Sequence, residues 1–469
     1  MNKPSASTKM RTGGFGLIQG KVMRRFRLAL GILLAAFVAA ISSPAMAVPS
    51  FADQTGQPCQ ACHVGGIGPQ LTPFGREFKL DGYVMRAKKS MPFAVMAIAS
   101  VTHTRNDQDP PPDHFGPNDN IAFDQGSIFL AGGAGQHFGA FAQITYDGVE
   151  RHWAWDNIDL RVVTKGQIFG ADATFGLDVN NSPTVQDAWN TAPAWSFPYT
   201  DTAVSPTPGA SPLIDEHLAQ NTIGITAYAW IGRKVYLEAG GYKSPGQGFL
   251  NAMGADPADP GDIAGVAPYA RVAYQAALGG GTAHLGGFFL KANINPGRDR
   301  SSGASDHFTD VGVDASWYRA FGNNDTLTAN IRYVHEVAHY EASCRLGLIG
   351  QDGSPDCSNV TLNELRADVA YYWRNKVGGT LGLFRTTGTA NPNLYEGPAE
   401  KPDSSGLTLQ LDYTPWGDGT SPLGKLFNIR FGLQYTSYFK FDGARHNYDG
   451  AGAEAANNNS LRFFTWLAF

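Results

Sequence analysis

Residues 425–439 read KLFNIRFGLQYTSYF, and the side chains alternate in character from one position to the next. The apolar positions are Phe427, Ile429, Phe431, Leu433 and Tyr435, and the positions between them hold Asn428, Arg430, Gly432 and Gln434. Alternation with a period of two predicts a β-strand with one apolar face. A strand between lipid and a water-filled lumen has this pattern. A soluble barrel with the two faces inverted has it too.

The same kind of segment recurs along most of the chain, so the predicted fold class is all-β. We predict sixteen strands, at 92–104, 121–132, 137–149, 152–164, 168–180, 221–231, 234–243, 266–277, 281–293, 308–320, 326–342, 359–374, 378–389, 405–414, 425–439 and 458–469. The connections between them alternate between short and long. Only the connection near Glu150 and Arg151 is short where a long one is expected.

Short periplasmic turns opposite long outer loops are the topology of outer-membrane barrels, which also have an even number of strands. The chain ends in Phe469, and a C-terminal aromatic residue is typical of such barrels. The sequence therefore predicts a transmembrane barrel of about sixteen strands over residues 91–469. A lumen of that size is wide enough for water or for a plug.

Composition limits the other possibilities. The chain has 469 residues, a formal net charge of −5 and a pI near 6.1. Without a long basic run, this balance argues against a nucleic-acid partner. After residue 50, the sequence has no apolar run long enough for a membrane helix. Outer-membrane lipid is the expected surrounding.

The first 47 residues have the features of a secretory signal. Arg24, Arg25 and Arg27 form a positive region after Met23, residues 28–41 are apolar, and Ala45-Met46-Ala47 is a cleavage site. We predict removal after Ala47, with Met23 as a possible true start. Export from the cytoplasm also permits disulfide bonds.

Residues 48–90 carry the motif Cys59-Gln60-Ala61-Cys62-His63. C-x-x-C-H is the attachment site of a c-type haem, in which two thiols bind the porphyrin and the histidine binds the iron. Half of a zinc site is the alternative, but Cys344 and Cys357 are not at ligand spacing from it. We predict a small monohaem cytochrome segment over 48–90, which lies inside the barrel or at its periplasmic mouth.

The second axial ligand of the iron stays open in the sequence. Met85, Met91 and Met96 are the nearest soft donors, and the iron is otherwise five-coordinate or water-ligated. Met96 falls on the face of the first strand that we expect to point inward. Arg76 and Lys79 are candidates to pair with the haem propionates, or are ordinary surface charges.

Three further features of the sequence bear on metal binding or covalent cross-linking. His335-Glu336-Val337-Ala338-His339 matches a zinc-protease motif that works on a helix, but it lies in a predicted strand, so we take it as chance. Cys344 and Cys357 bracket one outer loop and are predicted to form a disulfide. The outer loops are acidic, with oxygen donors that suit divalent iron, although solubility alone also explains acidic loops.

The haem segment resembles a known family. The run QTGQPCQACH, followed by LTPFGREFKLDGY, resembles the fused monohaem cytochrome–porins of the outer membrane, whose best-known members are iron oxidases. The resemblance implies that Cys59 and Cys62 form the thioether bonds and that His63 is the proximal ligand. It also implies electron transfer from extracellular Fe(II) to a periplasmic carrier.

We expect that carrier to be a periplasmic cytochrome c or a copper protein. Two other functions remain open from the sequence. One is a porin for small solutes, gated by the haem segment. The other is a haem enzyme that acts on a small molecule.

Overall fold

The computed structural model describes residues 50–86, 92–349, 359–419, 421–423 and 427–469. The predicted signal peptide and its cleavage site lie outside the described residues. All sixteen predicted strands are present, with ends within four residues of the predicted positions, and a short additional strand occurs at 261–263.

The strands, numbered in chain order, form one sheet. They are β1 (Phe93–Thr104), β2 (Asn120–Ala134), β3 (Phe138–Asp147), β4 (His152–Ile168), β5 (Ala171–Asn180), β6 (Ile223–Ile231), β7 (Val235–Lys243), β8 (Gly261–Ile263), β9 (Ala267–Leu278), β10 (Gly281–Pro296), β11 (Asp306–Ala320), β12 (Thr326–His339), β13 (Val360–Trp373), β14 (Val377–Gly388), β15 (Ser404–Tyr413), β16 (Asn428–Lys440) and β17 (Ser460–Ala468).

The sheet is antiparallel and closes on itself. β1 pairs with β2 on one side and with β17 on the other, in a register that places Met96 opposite Ala468 and Thr104 opposite Ser460. The short strand β8 and β9 both pair with β10, so they continue one line across a bend at 264–266. The closed barrel therefore has sixteen strand positions.

The orientation of the two faces settles what the alternation in sequence left open. In β15, Leu409 is 45% exposed on the outside, whereas its neighbour Gln410 is 3% exposed and faces the lumen. Exposed Leu, Val, Ile and aromatic side chains recur around the outside, and most strands bury polar or charged side chains inside. A soluble barrel would have these faces reversed, so the molecule is a transmembrane barrel of the outer-membrane type.

Connections of different length separate the two ends of the barrel. The end with the short connections, here called the turn end, has links such as 169–170, 232–234 and 279–280. The opposite end, the loop end, has connections such as 181–222 and 441–459. The link at 148–151 is short, which confirms the one exception seen in the sequence. Two small helices, α4 (Gln247–Ala252) and α5 (Glu341–Arg345), lie in the loop-end connections.

Two segments occupy the lumen. Residues 50–86, here called the N-terminal segment, contain helices Ser50–Thr55, Cys59–Cys62 and Pro73–Leu80, which we name α1, α2 and α3. This segment lies at the turn end, where Gln54 Oε1 accepts from Gly133 N at 2.7 Å and Gln60 Nε2 donates to the Asp418 carbonyl at 2.8 Å. The second segment is the connection 181–222, here called the inward loop.

Among the described residues, no helix has both the length and the apolar character needed to cross a bilayer.

Candidate haem site in the barrel lumen

The C-x-x-C-H motif forms a single turn that orients its three functional side chains. In α2 the His63 amide donates to the Cys59 carbonyl at 2.8 Å and the Ala61 amide donates to the Pro58 carbonyl at 2.9 Å. The two cysteines are thereby brought to the ends of one helical turn, and His63 follows directly in extended backbone. Neither Cys59 nor Cys62 is disulfide-bonded.

Residues 70–72 of the N-terminal segment pair with the backbone of the motif. Leu71 forms an isolated antiparallel bridge with His63. On either side, Val64 N donates to the Gln70 carbonyl and Thr72 N donates to the Cys62 carbonyl, both at 2.9 Å. The backbone position of His63 is therefore set by residues 70–72.

Helix α3 then crosses α2 at very close range. Thr72 caps α3, because its side chain accepts from the Gly75 amide at 3.2 Å. A methyl group at Gly75 would clash with the Cys62 carbonyl, so only glycine allows the two helices to approach this closely. Gly65 is similarly close to the ring of Tyr372 and to the guanidinium of Arg430, which both belong to the inner wall.

Cys59, Cys62 and His63 line one cavity of about 770 Å³ in the lumen. Ligand sites in proteins commonly measure roughly 300–1,000 Å³. The apolar side chains that line it come from the N-terminal segment, the barrel wall and the inward loop: Leu71, Phe78, Met96, Ile98, Phe129, Phe141, Trp195 and Trp466. A flat apolar ring attached to the two thiols could pack against these side chains, while other parts of the lining are polar.

Burial controls the protonation of the three motif residues. It raises the pKa of Cys59 to about 11 and that of Cys62 to about 12, and it lowers the pKa of His63 to about 4. Near neutral pH both thiols are protonated and the imidazole is neutral, which is the form that binds a metal. His63 Nδ1 makes no hydrogen bond of normal geometry with the described residues. The backbone of Gly68 acts against burial and raises the pKa of His63, but by less than burial lowers it. This donor set fits a c-type haem.

Of the three candidate methionines, the structure describes Met85 and Met96, and only one of these two lines the cavity. Met96 is 8% exposed, points inward from β1 and lines the cavity, as predicted for its face. Met85 is 43% exposed and is absent from the cavity lining. Met91 lies outside the described residues. Among the described residues, Met96 is the one methionine that shares the cavity with His63.

Of the two predicted propionate partners, Lys79 lines the cavity and Arg76 does not. Lys79 Nζ donates to the Val185 carbonyl at 2.7 Å and lies 3.6 Å from a carboxylate oxygen of Asp159. Arg76 is 3% exposed and is absent from the cavity lining, and its Nε and Nη1 have no hydrogen-bond partner in the described part of the chain. Lys79 is therefore bound to the wall and the inward loop, and is not an ordinary surface charge.

The inward loop is the part of the site that sequence reasoning missed. We predicted residues 181–220 only as a long outer connection, whereas residues 181–193 are buried within the lumen. Trp195, Phe197 and Tyr199 of this loop line the cavity. The available signal was the number of large aromatic residues in this loop, namely Trp189, Trp195, Phe197 and Tyr199. Such side chains are mostly buried, whereas an outer loop in water would expose them.

The remaining sequence features take these positions. His335 and His339 lie on strand β12, so the zinc-protease reading is excluded as predicted. Cys344 is buried and disulfide-bonded, but Cys357 lies outside the described residues, so their pairing stays a prediction. In the described ranges, no group of three or more His, Cys, Asp or Glu side chains is arranged to hold a metal ion, and this includes the acidic loops.

Comparison with known proteins gives no close relative. No protein-family model matches the chain, and no curated protein is similar to it in sequence. Solved outer-membrane structures are similar to the barrel in outline. OmpF of Salmonella typhi, in a complex with daunomycin, is 12% identical with a TM-score of 0.46 over 81% of this chain and 98% of that one.

Two further structures give comparable values. The outer-membrane channel DcaP of Acinetobacter baumannii is 13% identical with a TM-score of 0.46, over 83% of this chain and 99% of that one. OmpT of Vibrio cholerae is 10% identical with a TM-score of 0.43, over 82% of this chain and 100% of that one.

Proposed function

We propose that this protein transfers electrons across the outer membrane through one c-type haem held in the barrel lumen. The observation that carries the proposal is the meeting of Cys59, Cys62 and His63 at the wall of one cavity of about 770 Å³. A bound haem supplies a one-electron Fe(III)/Fe(II) couple. The residues of the chain hold the haem and give its reaction partners access to it.

The motif residues hold the group. Cys59 and Cys62 would each hold the haem through a thioether bond. His63, kept neutral by burial, would bind its iron. Met96 is our choice for the distal ligand, because among the described residues it is the one methionine in the same cavity.

The lumen provides separate access from each end. Toward the loop end the cavity extends to Asp215, Glu216 and Arg366, where a small reductant can approach. The family resemblance implies Fe(II) as the substrate at this end. Toward the turn end the N-terminal segment is close to the surface, where a periplasmic cytochrome c or copper protein can dock.

The balance of the reaction is simple. One Fe(II) outside the cell loses one electron and becomes Fe(III), and the periplasmic carrier gains that electron. Charged side chains that line the cavity, such as Lys79 and Arg366, would contribute to the reduction potential. The proposed activity is thus that of an iron oxidase, and the ferric product stays outside.

The test uses the protein purified from outer membranes without oxygen. Adding Fe(II) should produce sharp reduced c-type bands, and a Cys59→Ala/Cys62→Ala variant should retain the barrel but lose covalent haem. If dithionite reduces the haem and Fe(II) does not, the donor is a different molecule. A complete absence of covalent haem in the parent protein would overturn the proposal.

A second candidate function is a channel for small solutes, gated by the N-terminal segment. The supporting observation is the wide barrel with a continuous cavity between the N-terminal segment and the loop end. Conductance in planar bilayers that rises when the segment is displaced or the haem is reduced would favour this function over electron transfer.

A further inference from the structure

Asn190, in the inward loop, holds the N-terminal segment with both ends of its side-chain amide. Its Oδ1 accepts from the Leu71 amide at 2.8 Å, and its Nδ2 donates to the Pro69 carbonyl at 3.0 Å. Asn190 is 2% exposed, so these bonds do not compete with bulk water. Buried, fully used amides of this kind fix geometry as well as satisfy hydrogen bonds.

The backbone that Asn190 holds is the one that positions His63. Leu71 is bridged to His63, and Thr72 N donates to the Cys62 carbonyl. A movement at Leu71 is therefore transmitted directly to the backbone of the proximal ligand. Between Asn190 and His63 the path consists of one side-chain hydrogen bond and one backbone bridge.

The loop behind Asn190 is itself fixed to the barrel wall. Asp187 accepts from the amides of Trp189 and Thr191, both at 3.1 Å, and so closes a rigid turn around Asn190. The same carboxylate forms a fully buried ion pair with Arg271 of β9 at 3.0 Å. The backbone of Asn190 has φ of 60°, a left-handed conformation that asparagine tolerates better than most residues.

We propose that Asn190 is a positioning residue for His63, through which the inward loop sets how firmly the haem iron is held by its proximal ligand. The inference rests on the proposed function, because it needs the haem in place. A purely structural role for Asn190 would instead affect the stability of the loop and leave the iron–histidine bond unchanged.

The experiment compares three variants of the haem-loaded protein. In Asn190→Ser the shorter side chain cannot make both bonds, and Asn190→Gly removes both bonds while glycine adopts the positive φ without strain. Ala203→Ser is the control, because Ala203 is exposed in the same loop and does not line the cavity. Each ferric protein is titrated with acid while its visible spectrum is recorded.

We expect the pH midpoint for loss of histidine ligation to rise in Asn190→Ser and in Asn190→Gly, and to stay at the parent value in Ala203→Ser. The reason is competition between a proton and the iron for the same imidazole nitrogen, which a less restrained His63 loses at higher pH. Haem content per chain and the heat-modifiable migration of the folded barrel serve to show that each variant is intact.

Midpoints that agree with the parent in an intact Asn190→Gly or Asn190→Ser protein would overturn the inference. If Asn190→Ser does not assemble, the Asn190→Gly midpoint decides alone. A parent protein without covalent haem would be a failure of the proposed function and is recognised before any titration begins.

Discussion

At the scale of single residues, the two cysteines show how the lumen changes ordinary chemistry. Burial raises the pKa of Cys59 from 9.0 to about 11, and of Cys62 to about 12. Because the thiolate is the nucleophile, raising the pKa of Cys59 by two lowers its thiolate fraction by roughly 100-fold at a fixed pH below both values. Thiols in the folded, haem-free barrel should therefore react slowly.

The first prediction is that iodoacetamide at pH 8 alkylates Cys59 in the haem-free folded protein on the order of 100-fold more slowly than in the unfolded chain. Mass spectrometry of the peptide at successive times gives the rate. A Cys62→Ser variant removes ambiguity between the two sites. Equal rates in the folded and unfolded protein would show that the cavity does not shield the thiols.

Met96 is the second residue whose role can be isolated. In the haem-loaded protein, Met96→Leu should open a coordination position, so that ferrous haem binds carbon monoxide where the parent does not. The substitution nearly conserves volume, which limits its effect on packing. Met85→Leu is the control, since Met85 is away from the cavity. Identical carbon monoxide binding in the parent and Met96→Leu would rule out Met96 as a ligand.

At the scale of elements, the close crossing of α2 and α3 depends on the absence of a side chain at Gly75. Gly75→Ala places a methyl group against the Cys62 carbonyl, and overpacking of this kind costs about 1–3 kcal/mol. We predict faster proteolysis of the N-terminal segment, because local unfolding becomes more frequent. The barrel strands should be unaffected.

Gly248→Ala is the matched control for that substitution. Gly248 also lies in a short helix, α4, but nothing is within 4 Å of the position that its methyl group would take. Alanine there should leave proteolysis unchanged or slow it, since glycine inside a helix costs roughly 0.5–1 kcal/mol relative to alanine. Similar proteolysis rates for both variants would contradict the close crossing.

At the scale of the whole molecule, the lumen is divided between two segments from distant parts of the chain. The N-terminal segment occupies the turn end, and the inward loop reaches it through Asn190 and Lys79. A barrel of this size otherwise leaves an aqueous channel. The inward loop and the N-terminal segment therefore fill part of a lumen that would otherwise be an open pore.

We predict that replacing residues 184–199 by a short Gly-Ser linker raises single-channel conductance in planar bilayers. Shortening the connection 441–459 around residues 446–452, which are mostly exposed, should leave conductance at the parent value. The same change in conductance in both variants would contradict this prediction. Retained assembly of each variant is checked by its heat-modifiable migration.

The chain by itself determined the strands, the alternation of connection lengths and the position of the motif around Cys59. These are local properties. A period of two, a turn residue or a C-x-x-C-H spacing is contained within a few consecutive residues. The sixteen strands could be predicted for that reason, including the short link near Glu150.

Alternation reads the same in either orientation, so the lipid-facing side was predicted from the connection lengths and confirmed by the tertiary structure. Only the tertiary structure decided that residues 181–222 fold inward, that Met96 and not Met85 shares the cavity with His63, and that Lys79 pairs with Asp159. Each of these outcomes depends on contacts between residues far apart in the chain. Barrel closure fixes such contacts, and no local pattern records them.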